Sequence, residues 1–307
     1  MKSLKIVFMG TPEFAVPMLD ILHRSEHKIV AVITAPDKPA GRGMNLQQSD
    51  VKQYAVANNL PVLQPEKLKN EAFLNELKAL NADLFVVVAF RMLPEAVWNM
   101  PPLGTINLHA SLLPNYRGAA PINWAVINGE KETGVTTFKL QHEIDTGDVI
   151  FSEKITIGDD ENVGSVYQRL MEIGAPVLLK TVNAISENDF PQVPQPKTDV
   201  PKHAPKIFKE TCLIDWNKSA AEIHNLIRGL SPYPAAFTHL NGKVLKIYTS
   251  SKETFTHTKP LGSYETDGKT YFKFFCADGA IFCHELQLEG KKKMGVEEFL
   301  RGFKANS

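Results

Sequence analysis

Cysteine is scarce in this sequence, and long apolar runs are absent from it. The three cysteines are Cys212, Cys276 and Cys283; they form no CxxC pair, so the sequence predicts neither a disulfide framework nor a metal site of the zinc type. No stretch approaches the roughly 18 apolar residues of a membrane-spanning helix. The apolar run after Lys5 is too short for a signal peptide. We therefore expect a protein of the reducing cytoplasm, without a membrane anchor.

The sequence also lacks a net charge, because 34 lysines and arginines balance 34 aspartates and glutamates. The charges are nevertheless distributed unevenly. From Lys197 onward there are 17 basic and 12 acidic residues, and the preceding part carries the opposite surplus. A basic second half favours an anionic partner. The overall balance gives no reason to expect an obligate oligomer, so a monomer is expected.

A glycine-rich dinucleotide fingerprint is missing as well. The first strand-to-helix turn reads Gly10-Thr11-Pro12, with one glycine and a proline that has no N–H group. A dinucleotide site of the Rossmann type has G-x-G-x-x-G at this turn, with backbone N–H groups facing the phosphates. The pattern argues against a nicotinamide-dependent dehydrogenase and predicts a tight turn beneath a ligand crevice.

The first half of the chain alternates strand and helix patterns. Strands are predicted at 4–9, 28–34, 81–89, 104–109 and 134–140, and helices at 14–23, Pro121–Ile127 and 161–186. The strand at 81–89 is almost entirely apolar, as is typical of a parallel strand buried on both faces. This order predicts the α/β class, with a Rossmann-like, doubly wound and mostly parallel sheet.

The second half follows a proline-rich stretch and has a different pattern. Five prolines between 190 and 205 exclude a helix or a central strand and predict an extended linker. A helix at Ala220–Leu230 and short strands at 244–248, 261–265, 270–275 and 280–285 come next, with turn signals at 266–268 and 277–279. We predict a catalytic domain at 1–189, a linker at 190–207 and a smaller OB-like β-barrel at 208–307.

Two polar side chains share one face of the strand at 104–109. Alternate residues of a strand point the same way, so Asn107 and His109 lie side by side near its carboxyl end. In open α/β sheets, ligands bind beyond the carboxyl ends of the strands. An amide donor and an imidazole together suit an oxyanion that develops on a carbonyl carbon under attack. We interpret the pair as catalytic rather than as buried structural polar groups.

A carboxylate partner is expected from the segment after the next strand, which reads HEIDTGD. Asp145 precedes Thr-Gly, a turn that can direct its side chain into the crevice. Glu143 is expected to be solvated, and Asp148 to begin another strand. Asp145 is therefore the predicted third member of the catalytic group.

The sequence gives less support to two other kinds of site at these residues. A hydrolase triad of Ser111, His109 and Asp145 lacks the G-x-S-x-G elbow, and Ser111 lies only two residues after His109. A metal site from His109, His142 and Asp145 lacks a recognised ligand spacing. The segment Leu112-Leu113-Pro114 after Ser111 is interpreted instead as the wall of a ligand-binding loop.

A proline- and glycine-rich loop, APDKPAGRG at 35–43, follows the second predicted strand. Its composition is that of a surface loop. It also carries Lys38 and Arg42, which could reach a phosphate or a base edge of a nucleic acid.

Taken together, these motifs resemble a known family. GTINLHASLLPNYRGAAPINWA and EIDTGDVI, with MGTPEFAVP, APDKPAGRG and the KKKMGVEEFLRG ending, are similar to the methionyl-tRNA formyltransferases over nearly the whole chain. The wider group of 10-formyltetrahydrofolate-dependent formyltransferases shares only the Asn, His and Asp residues and the SLLP loop.

The resemblance implies transfer of a formyl group from 10-formyltetrahydrofolate to the α-amino group of methionyl initiator tRNA, with no metal. It places Asn107, His109 and Asp145 on the family's catalytic positions. It places the segment from Ser111 through Leu112 and Leu113 to Pro114 on the folate-binding loop, and Arg42, with Lys38 in the same loop, near the acceptor stem. The C-terminal domain would then hold the tRNA.

The chain departs from the family pattern in one loop. The segment Ala89-Phe90-Arg91-Met92-Leu93-Pro94 is one residue shorter than is common, and in similar enzymes this loop lines the pterin pocket. Phe90 and Arg91 are expected to contact the folate there. Two alternatives stay open: a formyltransferase acting on another amine, such as a nucleotide sugar, and a formyltetrahydrofolate hydrolase. A nucleic-acid-binding protein without catalysis would not need the Asn107, His109 and Asp145 group.

Overall fold

The chain folds into two compact units. The computed structural model describes residues 2–40, 45–143, 145–196 and 200–303. Neither unit is continuous in sequence. The first comprises Met1–Arg117, Gly134–Ile155 and Gln168–Lys202, and the second comprises Gly118–Thr133, Thr156–Tyr167 and His203–Ser307. The second unit therefore takes two of its segments from the N-terminal half of the chain.

Strands and helices alternate through the first part of the chain, and strands predominate after residue 230. The strands are β1 (Lys5–Gly10), β2 (Lys28–Ile33), β3 (Lys38–Ala40), β4 (Asn45–Gln47), β5 (Val62–Leu63), β6 (Leu84–Val88), β7 (Thr105–His109), β8 (Arg117–Gly118), β9 (Glu132–Lys139), β10 (Val149–Thr156), β11 (His203–Ala204), β12 (Ala236–Leu240), β13 (Lys243–Thr254), β14 (Tyr264–Thr266), β15 (Phe272–Cys276), β16 (Gly279–Leu288) and β17 (Met294–Gly295). The α-helices are α1 (Val16–His23), α2 (Asp50–Ala57), α3 (Glu71–Ala79), α4 (Glu95–Trp98), α5 (Pro121–Ile127), α6 (Val163–Ser186), α7 (Ala220–Leu230) and α8 (Val296–Gly302). Within the described residues, no helix combines the length and the apolar character that a membrane crossing requires.

The first unit is built on a seven-stranded sheet with the order β10-β9-β7-β6-β1-β2-β5. Strands β2, β1, β6 and β7 run parallel, and β5 is parallel to β2. Strand β9 is antiparallel to β7. All five residues of β6 are buried, as the apolar run predicted. The prediction of a doubly wound, mostly parallel sheet is confirmed.

The turn after β1 shows why a single glycine stands there. A Cβ atom on Gly10 would lie 2.8 Å from the Cβ atom of Ala15 and 3.1 Å from the carbonyl oxygen of Val88. The chain enters a short 3₁₀ turn at Glu13–Ala15 and then α1, which begins with a proline in its first turn. Gly10 thus permits close packing of the turn on β6.

The second unit contains an antiparallel sheet with the order β12-β13-β16-β15-β14, and β17 pairs with β16. Side chains of α7, including Ile223 and Ile227, belong to one buried apolar cluster with strand residues such as Phe272 and Phe274. The expected smaller, C-terminal β-domain of the OB-like kind is confirmed. Strand boundaries differ from those expected. The strand expected at 244–248 extends over Lys243–Thr254, and the strand expected at 261–265 begins only at Tyr264. Gly262 has a φ of +77° and Ser263 donates to the carbonyl of Pro260, so these residues form a turn instead.

Candidate active site

Strand β7 carries the two polar side chains that the sequence indicated. Asn107 lies between Val87 of β6 and Phe138 of β9, and His109 lies opposite Thr136 of β9. Asn107 is half-buried and His109 is buried. Because the two residues alternate along the strand, their side chains share one face of the sheet. That face of β7 is the base of the candidate active site.

The imidazole of His109 is held at one nitrogen. Its Nε2 atom lies 2.8 Å from the backbone carbonyl oxygen of Tyr116. A carbonyl oxygen can only accept a hydrogen bond, so Nε2 carries the proton and donates it. The other nitrogen, Nδ1, lies 3.8 Å from Oδ2 of Asp145. This separation is too long for a direct hydrogen bond, but a single polar atom at about 2.8 Å could hydrogen-bond both groups.

Asp145 reaches His109 from a loop that begins at the opposite end of β7. Strand β9 is antiparallel to β7, so the loop at 141–148 begins beside the amino end of β7, where the Leu140 N–H donates to the Thr105 carbonyl. The Asp145 carboxylate nevertheless lies against His109 at the other end of β7, and the residue is buried. The path of the loop therefore brings the carboxylate to the imidazole of His109.

The loop at 141–148 is tightly closed at its base. The Lys139 N–H donates to the Asp148 carbonyl at 3.2 Å, and a Cβ atom on Gly147 would overlap the Lys139 carbonyl oxygen. The hydroxyl of Thr146 donates to the carbonyl of Glu143 at 3.0 Å. Asp145 itself has a φ of +55°, a left-handed conformation that costs energy in residues other than glycine. The loop geometry thus holds Asp145 in an unfavourable backbone conformation.

The segment after β7 is fixed by hydroxyl groups. The Ser111 hydroxyl is fully buried and donates to the Asn115 carbonyl at 2.7 Å. The Thr136 hydroxyl donates to the Ser111 carbonyl at 2.7 Å and accepts from the Leu113 N–H at 3.3 Å. Ser111 therefore shapes the loop, and the half-exposed residues Leu112, Leu113 and Pro114 form its outer wall.

The loop after β6 contains Phe90 and Arg91. The Arg91 guanidinium donates to the carbonyl of Glu66 at 2.9 Å and to the carbonyl of Pro65. It also lies 5.5 Å from the centre of the Phe90 ring. Arg91 therefore joins this loop to the segment after β5. Ala89, at its start, has a φ of +48°, so a second loop next to β7 begins with a left-handed residue.

The basic loop after β2 is described only in part. Lys38 is exposed and pairs with Gln47 across the β3–β4 ribbon. Its neighbour Asp37 is fixed by Nζ of Lys52, at 2.5 Å, and by the side-chain amide of Gln64, at 2.7 Å. Arg42 lies outside the described residues.

Comparison with known proteins identifies the family. A profile described as formyl transferase matches residues 4–182, and one for the formyl transferase C-terminal domain matches residues 206–304. The methionyl-tRNA formyltransferase of Bacteroides thetaiotaomicron is 54% identical over 99% of this chain and 97% of its own length. That of Parabacteroides distasonis is 55% identical over 99% and 97%. The chain belongs to the methionyl-tRNA formyltransferase family.

Solved structures with the same fold include more distant formyltransferases. An N-formyltransferase from Helicobacter canadensis, solved with folinic acid and dTDP-3-aminofucose, has a TM-score of 0.68 and 21% identity over 95% of this chain and 100% of that chain. At this identity the likeness supports the fold alone. Within the described residues, no group of three or more His, Cys, Asp or Glu side chains is arranged to hold a metal ion.

Three residues of the site were not found from the sequence. Tyr116 supplies the carbonyl for His109, Thr136 fixes the loop at Ser111, and Gln195 contacts the backbone of the Asp145 loop. Tyr116 acts through its backbone, with a φ of +61°, which its side-chain type does not indicate. Thr136 could have been found from its cross-strand position opposite His109, had the antiparallel register been known.

The ion pair between Asp37 and Lys52 has a pH-dependent effect on stability. Hydrogen bonds from Lys52 and Gln64 lower the pKa of Asp37 below its ordinary value of 3.8. A carboxylate with a lowered pKa stabilises the folded state above its unfolded pKa, and this stabilisation is lost as the pH falls through the folded pKa. Asp37→Asn should therefore lower the free energy of unfolding throughout pH 4–8, with a smaller difference only at more acid pH.

Urea unfolding of wild type and Asp37→Asn across this range measures the effect. Asp189→Asn, which changes an exposed aspartate, is the matched control and should unfold like wild type. A difference for Asp37→Asn that has already vanished at pH 5 would contradict the assignment.

Proposed function

We propose that this enzyme transfers the formyl group of 10-formyltetrahydrofolate to the α-amino group of methionyl initiator tRNA. The observation that carries the proposal is the contact of His109 and Asp145 on the face of β7 that also carries Asn107. Family membership at 54–55% identity supports the choice of acceptor. We place the reaction in the cytoplasm, where initiator tRNA is used, and we infer a monomeric enzyme.

The reaction needs stabilisation of an oxyanion and one proton transfer. A neutral amine attacks the formyl carbon, the carbonyl oxygen becomes an oxyanion, and the C–N10 bond then breaks. The proton lost by the new ammonium group goes to the departing N10 nitrogen. Donors positioned at the oxyanion before reaction lower the barrier because they need no reorganisation. Asn107 supplies such a donor through its side-chain amide, which stays neutral.

His109 can donate to the oxyanion only through Nδ1. Its Nε2 proton is already bound by the Tyr116 carbonyl, so Nδ1 becomes a donor only when the ring is protonated. The Asp145 carboxylate lies 3.8 Å from Nδ1, on the same side of the ring. We infer that His109 faces the oxyanion as an imidazolium and that Asp145 accepts the ammonium proton, through water where needed, and returns it to N10.

The folate is proposed to lie across the loops that flank β7. Leu112, Leu113 and Pro114 form one wall, shaped from within by Ser111. The Phe90 loop forms the other, and Arg91 holds it by backbone contacts. A wall of apolar side chains with backbone donors and acceptors suits a planar heterocycle.

The tRNA is proposed to contact Lys38 and Arg42 and the basic second half of the chain. Arginine and lysine bind phosphates, and this attraction weakens as salt is added. The second unit includes Gly118–Thr133 and Thr156–Tyr167, so a cut before residue 208 would remove only part of it. Point substitutions are therefore the appropriate test of the tRNA contacts.

The catalytic group is tested with 10-formyltetrahydrofolate and charged initiator tRNA, with formylmethionine as the measured product. Asn107→Ala, His109→Ala and Asp145→Asn should each lower kcat by about 10²–10³-fold, the usual effect of losing one preorganised group. KM for either substrate should change much less. Glu143→Gln alters an exposed carboxylate of the same loop and should keep wild-type turnover.

Three results would contradict this proposal. Near-normal turnover in Asp145→Asn would show that the Asp145 carboxylate has no catalytic role. Wild-type enzyme that leaves methionyl-tRNA unchanged but formylates dTDP-3-aminofucose would point to a sugar-amine acceptor, and release of formate without any acceptor would point to a hydrolase.

The basic loop is tested by its effect on the tRNA substrate alone. Lys38→Ala and Arg42→Ala should lower kcat/KM for methionyl-tRNA and leave folate binding unchanged. If each side chain contacts a phosphate, each substitution should reduce the slope of log(kcat/KM) against log[salt] by about 1. Lys78→Ala, which removes an exposed lysine of α3, is the control. An unchanged rate and salt slope in both loop variants would exclude the proposed contact.

A further inference from the structure

Gln195 lies in the proline-rich segment and contacts the loop that carries Asp145. We propose that the Gln195 side chain, oriented by Arg117, is a positioning residue that sets the distance between Asp145 and His109 and so controls turnover. The kinetic part of this inference rests on the proposed function.

Gln195 contacts two backbone carbonyls of the loop that carries Asp145. Its Nε2 atom donates to the carbonyl of Asp145 at 2.8 Å and to the carbonyl of Gly147 at 2.9 Å. Both amide hydrogens are thus used on carbonyls two residues apart. These bonds hold the peptide groups that follow Asp145 and Gly147 in one orientation. The left-handed backbone of Asp145 is supported directly from outside the loop.

Arg117 determines which way the amide of Gln195 faces. The Arg117 guanidinium donates to Oε1 of Gln195 at 2.6 Å. A guanidinium has only donors, so the oxygen of the amide must face it and the NH₂ group must face the loop. The opposite orientation would leave Arg117 facing N–H groups and two carbonyls facing an oxygen.

The same contacts reach the other side of the catalytic pair. Arg117 directly follows Tyr116, whose carbonyl accepts from Nε2 of His109. A chain of bonds therefore links His109 to the backbone of Asp145 through Tyr116, Arg117 and Gln195. Its two ends, Nδ1 of His109 and Oδ2 of Asp145, lie 3.8 Å apart. Displacement of Gln195 would therefore move Asp145 relative to His109.

The segment that carries Gln195 is itself anchored to the first unit. Val193 and Val149 exchange two backbone hydrogen bonds, at 2.8 and 3.0 Å, at the start of β10. Nζ of Lys139, at the end of β9, lies 4.9 Å from the centre of the Phe190 ring. These contacts of Phe190 and Val193 hold the segment that carries Gln195 beside β9 and β10, the two strands that bracket the Asp145 loop. The segment predicted as a linker thus contributes directly to the candidate site.

Gln195→Glu tests the proposal, because it keeps the shape of the side chain and the acceptor for Arg117 but removes the donors to the two carbonyls. Gln195→Met removes the donors without adding charge. Both variants should lower kcat by about 10–100-fold, the expected cost of a misplaced catalytic group. KM for each substrate should stay within about threefold, because neither variant alters a substrate-contacting residue.

The matched control is Gln192→Glu, the same change at an exposed glutamine three residues earlier, which should behave like wild type. A second readout is amide hydrogen exchange of the peptide covering 141–148. Exchange there should be faster in Gln195→Glu and Gln195→Met than in wild type or Gln192→Glu, and the melting temperature should remain close to that of wild type.

Unchanged kcat in both Gln195 variants would overturn the proposal, as would unchanged exchange of the 141–148 peptide. A parallel loss of melting temperature and folate binding would show a role in overall stability and would overturn it too. If wild type forms no formylmethionine, the proposed function fails, and the exchange measurement still decides whether Gln195 holds the loop.

Discussion

The hydrogen bond from Nε2 of His109 to the carbonyl of Tyr116 is the interaction on which the rest of the site depends. It fixes the proton on one nitrogen of the ring and leaves the other for chemistry. Nδ1 then faces Asp145 across a gap that a reacting group can bridge. In the proposed reaction, His109 can donate to the oxyanion only through Nδ1, because its Nε2 proton is bound by the Tyr116 carbonyl.

Three residues that flank this arrangement have a strained backbone. Tyr116, Asp145 and Ala89 all have positive φ angles, and each lies in a loop that flanks β7 or covers its face. Such conformations persist only when surrounding contacts enforce them. For Asp145 these contacts include the Lys139–Asp148 bond and the two bonds from Gln195. For Tyr116, the Ser111 and Thr136 hydroxyls fix the preceding loop. Hydrogen bonds that cross between loops thus hold His109 and Asp145 in their relative positions.

The sequence indicated the sheet and the face of β7 because those depend on local periodicity. Apolar runs gave the buried strands, and simple alternation placed Asn107 beside His109. Helices α2 and α3 were not predicted, although Ser49 and Asn70 are readable N-caps that accept from the Lys52 and Phe73 N–H groups. The route by which Asp145 reaches His109 could not be predicted, because it depends on the antiparallel register of β9. The contact of Gln195 depends on tertiary pairing of a segment without a periodic pattern.

The bond from His109 to Tyr116 is tested most directly by ¹⁵N NMR of the His109 imidazole, with the signals assigned by their loss in His109→Gln. We expect the neutral ring to carry its proton on Nε2 and to leave Nδ1 bare, facing Asp145. A neutral ring protonated on Nδ1, with a bare Nε2, would contradict the bond to Tyr116 and the role assigned to His109.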